Sequence, residues 1–382
     1  MLASPITERV QLATCKRIVV KVGTRLITGG ATGLNTAFLD SVSRQMATLR
    51  EQGHEFIIIT SGAIFLGRRI LALSRSEDSL PLRQAAAAAG QPALMQHWSQ
   101  ALRSRGLSCG QMLLTTDDMS ARHRYLCVRN TIEALLAKGV IPVINENDSV
   151  SIEGITFQEN DKLAATVSAT ARADLAIYLS DYEGLYTANP ELDSNAQLIP
   201  RVAADDDVSG CAEGAGGPES KGGMAAKLAA AQMLAACGIA AVMASGRAER
   251  VITRILEGEE IGTFFIPGQA VQGRKLWIAT AIEPAGTISV DDGARRALQH
   301  PDGASLLPIG VTQVRGDFKA GDLVRISGPD GLEFARGLTN YSATEVETIR
   351  GLHTSRIAKT LGHVGHREVV HRDNMVLGEP GT

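Results

Sequence analysis

Residues 17–24 read Arg17-Ile18-Val19-Val20-Lys21-Val22-Gly23-Thr24: a β-branched run broken once by a lysine and ended by glycine. Alternation would mark a strand with one wet face. A continuous apolar run instead marks a strand covered on both faces, as in a parallel sheet. Working outward, Asn35 to Gln52 repeats Phe38, Leu39, Val42, Met46 and Leu49 at spacings of three and four, the period of a helix with one buried face. A second apolar run, Phe56-Ile57-Ile58-Ile59-Thr60, stops at Ser61-Gly62. An alanine-rich helical region follows and is expected to be interrupted at Gly90-Gln91-Pro92. Further strands are expected at 111–114, 140–144, 175–179 and 240–244, with helices at 122–138 and 227–237. Strand alternating with helix predicts an α/β fold, a three-layer α/β/α sandwich around a mostly parallel sheet.

The pattern changes after Pro267. Short strand-like pieces are then separated by turn signals such as Asp292-Gly293, Asp302-Gly303 and Gly328-Pro329-Asp330-Gly331, and the clearest helix runs from Asp291 to Gln299. At roughly 150 residues per domain, 382 residues suggest two or three domains. Two unequal ones are expected, an α/β domain over 14–267 and a small β-rich domain over 275–378.

Composition excludes several classes. The chain carries 38 Lys and Arg against 41 Asp and Glu. Residues 270–382 hold 13 basic and 13 acidic side chains, which argues against a nucleic-acid-coating or membrane-surface protein. No run of about 18 apolar residues marks a membrane span. The N-terminal segment has charges where a signal peptide needs an apolar core, so a cytoplasmic protein is expected. The five cysteines are scattered and form no C-x-x-C, which fits buried thiols rather than disulfides or a zinc site.

No segment matches a Walker loop, although Gly214 to Lys221 comes near, and no G-x-G-x-x-G follows the first strand. His371-Arg372-Asp373 copies three letters of the protein-kinase catalytic loop without its downstream spacing, a chance match. Other clusters carry more. Lys21 puts a cation at a strand end, with Gly23 beside it where backbone N–H groups can approach a phosphate. Ser61-Gly62 follows an apolar strand and opens a helix, which serves equally as an N-cap or an anion site. Asn145-Glu146-Asn147-Asp148 gathers more amides and carboxylates at one strand end than a solvated turn needs. Asn160-Asp161-Lys162 opens another helix, and Ser180-Asp181 stands at a strand end. Lys221-Gly222-Gly223-Met224-Ala225-Ala226-Lys227 reads as a glycine turn feeding a helix, with Lys227 in the first turn, where it opposes the helix dipole unless an anion is near.

In order, the segments VVKVGT, TSGAI, GQMLLT, PVINENDSV, ENDKLAA, YLSDYEGLYTANP and KGGMAAK closely resemble the glutamate 5-kinases of the amino acid kinase family. The trailing SLLPIGV, GDFKAGDLVRI, ARGLTNYSA and VVHRDNM look like a PUA domain, a small β-rich pseudo-barrel. The resemblance covers about residues 15–377. It implies ATP-dependent phosphorylation of the L-glutamate γ-carboxylate to L-glutamyl 5-phosphate, the first step of proline biosynthesis. Mg²⁺ would be carried on the ATP phosphates, proline would be a feedback inhibitor, and the kinase domain would assemble as a homodimer or homotetramer. By the same resemblance Ser61, Asp148 and Asn160 fall on glutamate-binding positions, with Asn145 close by, and the charge that the reaction must handle makes Lys21, Lys227 and Asp161 the expected catalytic residues. Lys21, Gly23, Ser180, Asp181 and the run Lys221, Gly222, Gly223, Met224, Ala225, Ala226 and Lys227 fall on ATP-binding ones.

The chain also departs from the family. Arg25 replaces a small hydroxyl residue, Phe65-Leu66 replaces small residues, and Lys221, Ala225 and Ala226 stand where the nucleotide loop reads T-G-G-M-x-T-K. Two lost hydroxyls remove hydrogen bonds worth about 0.5–1.5 kcal/mol each, while Lys221 adds charge. An alternative reading is an RNA-associated PUA protein with a weakened kinase half. The even charge balance of the tail weighs against it.

Overall fold

The run at 17–24 forms strand β1 (Arg17–Val22), whose residues from Ile18 to Val22 are all buried. The computed structural model describes residues 6–28, 33–74, 76–115, 118–119, 122–150, 159–190, 192–204, 206–208, 210–213, 221–268, 284–300, 303–363 and 366–378. The chain divides into two compact units, Met1–Asp118 with Tyr125–Ala270, and Met119–Arg124 with Val271–Thr382.

In the first unit the described strands are β1, β2 (Glu55–Ile59), β3 (Ser108–Leu114), β4 (Val140–Glu146), β5 (Leu175–Ser180), β6 (Arg201–Val202), β7 (Ala240–Ser245) and β8 (Thr263–Phe265). They form one sheet in the order β3-β4-β2-β1-β5-β7-β8-β6. Every pairing is parallel except that of β7 with β8. The order reverses direction at the β1–β5 pair, and such a switch point opens a crevice at the carboxyl edge of a parallel sheet.

Among the described residues up to Ala270, the α-helices longer than four residues are α1 (Thr36–Glu51), α2 (Ala63–Ile70), α3 (Leu80–Arg103), α4 (Arg122–Ala137), α5 (Glu159–Thr170), α6 (Lys221–Ala236) and α7 (Val251–Leu256). Ile18, Val20 and Val22 share a core with Phe38, Leu39, Val42 and Met46 of α1, Leu94 and Trp98 of α3, and Val251 and Ile255 of α7. Successive side chains on a strand alternate faces. Lys21 therefore points to the other face, where α5 packs. That alternation places the only charge of β1's interior beneath α5 and not in solvent.

The expected break at Gly90-Gln91-Pro92 does not occur: α3 runs through it from Leu80 to Arg103. Proline removes one N–H from the helix ladder, and packing against α2 outweighs that loss. A Cβ on Gly90 would lie 1.9 Å from the carbonyl oxygen of Ala63, and one on Gly67 of α2 would lie 1.6 Å from that of Ala86. The two glycines let the helix backbones touch, so Gly90 is a contact rather than a hinge. A comparable tertiary solution caps α7, where buried Gln45 of α1 accepts from the amides of Ile252 and Thr253 at 2.9 and 3.3 Å.

Among the described residues, the second unit has strands β9 (Gly286–Val290), β10 (Val311–Gly316), β11 (Leu323–Ser327), β12 (Glu333–Thr339) and β13 (Val370–Leu377) in the order β10-β9-β11-β12-β13. Only β9 and β11 pair in parallel. Three short helices accompany the sheet: α8 (Asp292–Gln299), α9 (Ala343–Ile349) and α10 (Ile357–Leu361). The helix expected from Asp291 is present, with Asp291 as its cap accepting from the Ala294 amide at 2.7 Å. This unit has its own core, built from Ile288, Val290, Phe318, Val324, Ile326, Phe334, Val346 and Ile349.

The thiols are not uniformly buried. Cys15 and Cys237 are, Cys109 and Cys211 are half-buried, and Cys127 is exposed. Burial pushes the Cys15 thiol up to about 12, helped by nearby Asp174, and burial does the same to Cys237. Iodoacetamide at neutral pH should therefore modify Cys127 first and reach Cys15 and Cys237 only after denaturation, as peptide mass spectrometry would show. Gly67→Ala and Gly90→Ala should each lower stability by at least the ~1–3 kcal/mol typical of overpacking. Gly210→Ala, where a Cβ meets nothing within 4 Å, should leave the thermal midpoint nearly unchanged.

Candidate active site

Parallel strands align their carboxyl ends on one edge of the sheet. Register puts Lys21 beside Ile59 of β2 and Tyr178 of β5, and Ile59 beside Ile144 of β4. Just beyond that row come Asn145 on β4 and Thr60-Ser61 after β2. Over this edge lies the start of α5, which presents Asn160 and Asp161 in its first turn.

The expected catalytic residues converge on Asp161. Its carboxylate is 1% exposed; Oδ1 lies 2.5 Å from Lys21 Nζ, and Oδ2 accepts from Lys227 Nζ at 3.1 Å. The Lys21 contact is an ion pair, and Oδ1 has no other hydrogen-bond partner among the described residues. Burial lowers the Lys21 pKa below the ordinary lysine value, Asp161 opposes that shift, and Lys227 adds to it. Tyr178 braces the arrangement from β5, its hydroxyl donating to the Asp161 carbonyl at 3.2 Å. Burial and Asp161 hold that phenol well above its usual value, so it stays neutral and can donate.

The expected substrate residues form a second cluster. Asn160 Nδ2 donates to Ser61 Oγ and to Asn145 Oδ1, both at 3.1 Å. Asn145 Nδ2 donates in turn to Gln91 Oε1 at 2.9 Å. Gly62, with φ of 102° in the left-handed region, turns the chain sharply from Ser61 into α2. Trp98 Nε1 donates to Thr60 Oγ1 at 2.8 Å and pins the strand end from α3. Asp148 is buried in the turn after β4.

Several nucleotide positions behave differently from expectation. The Gly23 amide donates to the Leu179 carbonyl at 3.0 Å, because the β1–β5 ladder continues one residue past β1. That N–H is thus committed and cannot reach a phosphate, as had been expected; a Cβ there would sit 3.3 Å from the same carbonyl oxygen. Ser180 Oγ closes the turn after β5 by accepting from the Tyr182 amide at 3.2 Å. Asp181 pairs with Arg25 at 2.9 Å. Lys221, Gly222 and Gly223 form the first turn of α6 itself, not a turn before it, so Lys227 lies in the second turn. The unfavourable dipole argument for Lys227 therefore fails, since the effect fades beyond the first turn; its pairing with Asp161 is what places it. Met224 and Ala226 are half-buried and Ala225 is exposed, while the side chains of Lys221, Gly222 and Gly223 lie outside the described residues, as does the near-Walker segment 214–220.

Sequence reasoning missed Gln91, Trp98 and Tyr178. For Gln91 a signal existed: it sits in the buried stripe of α3 with Ala87, Leu94 and Trp98, a polar residue where the spacing demands an apolar one. Reading Gly-Gln-Pro as a break hid it.

Residues 16–245 match the amino acid kinase family and residues 286–361 the PUA domain. The glutamate 5-kinase of Geobacter sp. (strain M21) is 46% identical over 96% of this chain and 98% of its own length. That of Trichlorobacter lovleyi is 45% identical over the same shares, and glutamate 5-kinase 1 of Rhizobium meliloti is 42% identical over 97% and 94%. Among solved structures, the UMP kinase of Bacillus anthracis is similar at 16% identity and a TM-score of 0.46, over 67% of this chain and 98% of its own. With a buried lysine–aspartate–lysine cluster at the switch point, and relatives matched along nearly their whole length, the chain belongs to the amino acid kinase family, among the glutamate 5-kinases that end in a PUA domain.

Proposed function

We propose that the protein transfers the γ-phosphoryl group of ATP to the γ-carboxylate of L-glutamate, giving L-glutamyl 5-phosphate and ADP. The observation that carries this reading is the charge of the Lys21–Asp161–Lys227 cluster. Two ammonium groups converge on one carboxylate at the carboxyl edge of the sheet. Ammonium groups held in place there meet an incoming anionic phosphate with fixed positive charge.

A carboxylate acceptor with an ordinary pKa near ~4.3 is ionised at neutral pH, so the reaction requires no general base. Its obstacle is repulsion between an anion and a polyanion, and the remedy is fixed positive charge where negative charge spreads in the transition state. Lys21 and Lys227 supply that charge, and Asp161 is the positioning residue that holds both. Asn160, Asn145 and Ser61 orient the amino acid, and Asp148 faces its ammonium group. Ser180, Asp181 and the first two turns of α6, from Lys221 to Lys227, hold the nucleotide.

Among the described residues, no group of three or more His, Cys, Asp or Glu side chains is placed to hold a metal ion. A kinase of this kind uses a divalent cation, and we assign Mg²⁺ as part of the substrate, bound to ATP phosphates, the usual way Mg²⁺ enters such sites. Among the described residues no helix is long and apolar enough to cross a membrane. A cytoplasmic location, proline as feedback inhibitor, and a dimer or tetramer built through the kinase unit complete the reading, carried over from the resemblance.

A coupled ADP-release assay tests it. Glutamate should support turnover while aspartate, N-acetylglutamate and carbamate do not; turnover on aspartate and none on glutamate would overturn the assignment. Lys21→Met and Lys227→Met should each lower kcat by roughly 10²–10³ at saturating ATP, the usual result of removing one transition-state charge partner. Near-normal kcat in either variant would remove that lysine from the mechanism.

A further inference from the structure

Among the buried side-chain atoms that lack a hydrogen-bond partner among the described residues are Gln91 Nε2 and Asn160 Oδ1 of this site, whereas Asp161 Oδ1 is met by its ion contact with Lys21. Leaving a buried polar group unmet is costly in a folded chain. Two of these atoms stand at opposite ends of one chain of amides, which runs Gln91, Asn145, Asn160 and then Ser61.

Such a chain has a direction. Each amide offers an oxygen on one side and an NH₂ group on the other. Gln91 Oε1 accepts from Asn145 Nδ2, which turns Asn145 Oδ1 toward Asn160. Asn160 Nδ2 then donates to both Asn145 Oδ1 and Ser61 Oγ, and only its own Oδ1 is left free to meet something else. Were Asn145 reversed, two NH₂ groups would face one another and Asn160 would have to turn as well, presenting a donor in place of an acceptor. An exposed carbonyl oxygen suits an ammonium group, whereas an exposed NH₂ suits a carboxylate. The polarity of the whole chain therefore decides which end of a zwitterion Asn160 can bind.

We propose that Gln91 is a positioning residue that sets this polarity, holding Asn160 with its Oδ1 toward the ammonium group of the amino-acid substrate. The proposal rests on the glutamate kinase reading. Gln91 is suited to the task. It is 7% exposed, in the middle of a 24-residue helix, and its backbone is fixed by the contact between Gly90 and Ala63 on α2. Neither Lys21, Lys227 nor Asp161 hydrogen-bonds to it among the described contacts, so it acts on substrate orientation apart from phosphate charge.

Steady-state kinetics of the full chain separate this from a structural role. Gln91→Met keeps length and removes both polar atoms; the KM for glutamate should rise roughly tenfold, a loss typical of one oriented hydrogen bond to a charged group. The KM for ATP and kcat should stay within about twofold. Gln91→Glu keeps an oxygen that accepts from Asn145 and should bring the glutamate KM back to within about threefold of the starting protein. The proposal is overturned if Gln91→Met leaves the glutamate KM unchanged, or if Gln91→Glu is as impaired as Gln91→Met. It is also overturned if the two KM values rise together in step with a fall in melting temperature. A starting protein that does not turn over glutamate sinks the underlying reading as well; any of the other results sinks the polarity role alone.

Discussion

The carboxylate of Asp161 is the constraint on which the site depends. It lies 1% exposed between two ammonium groups, and it favours the charged form of buried Lys21. Burial lowers the Lys21 pKa, and Asp161 is the group that opposes this. Because Lys21 arrives from β1, Asp161 from α5 and Lys227 from α6, one acidic side chain ties together the central strand and the two helices over it. Such a cluster contributes little net stability, since desolvation offsets attraction. Its value is that it holds two ammonium groups in fixed positions at one edge of the sheet. Fixed cations at that edge favour the entry of an anion.

Much of this was legible in the amino-acid order because period and residue type coincide there. β1 could be bounded to the residue, since a β-branched run ending in glycine leaves few alternatives. The helix expected between Asn35 and Gln52 forms with those two residues as its caps, Asn35 accepting from the Phe38 amide at 3.1 Å. Lys21, Ser61, Asn145, Asn160 and Asp161 stood out because polar residues at the carboxyl ends of apolar strands, or at a helix start, have little structural reason to be there.

What was not legible depends on pairs of elements distant in sequence. The continuity of α3 through Gly90-Gln91-Pro92 follows from the close contact with α2, and local propensity contains no trace of it. The start of α6 at Lys221 is similar: two glycines are poor helix formers, worth about 1 kcal/mol each against alanine, yet they lie within the first turn. The Gly23 amide is spent on Leu179, a partner 156 residues later, so a sequence-local argument for a phosphate contact could not detect it. Arg25, a departure from its family, is absorbed in the same way. It pairs at the surface with Asp181, its side chain 61% exposed, an interaction worth about 0–1 kcal/mol.

The two halves of the site are joined by the shortest connection a helix allows. Asn160 and Asp161 are consecutive, and consecutive side chains on a helix diverge by about 100°. From one turn of α5, Asn160 therefore reaches sideways to Ser61 and Asn145 while Asp161 reaches to Lys21 and Lys227. Orientation of the acceptor and placement of phosphate charge are then fixed to the same rigid backbone segment. A reaction between two anions gains most from alignment that costs no reorganisation at the moment of transfer. A shift of α5 by an ångström would displace both halves together, preserving their mutual geometry while loosening their hold on the sheet. Tyr178 opposes that shift. It is a buried phenol on the strand next to Lys21, and it donates to the Asp161 carbonyl on the same turn of helix.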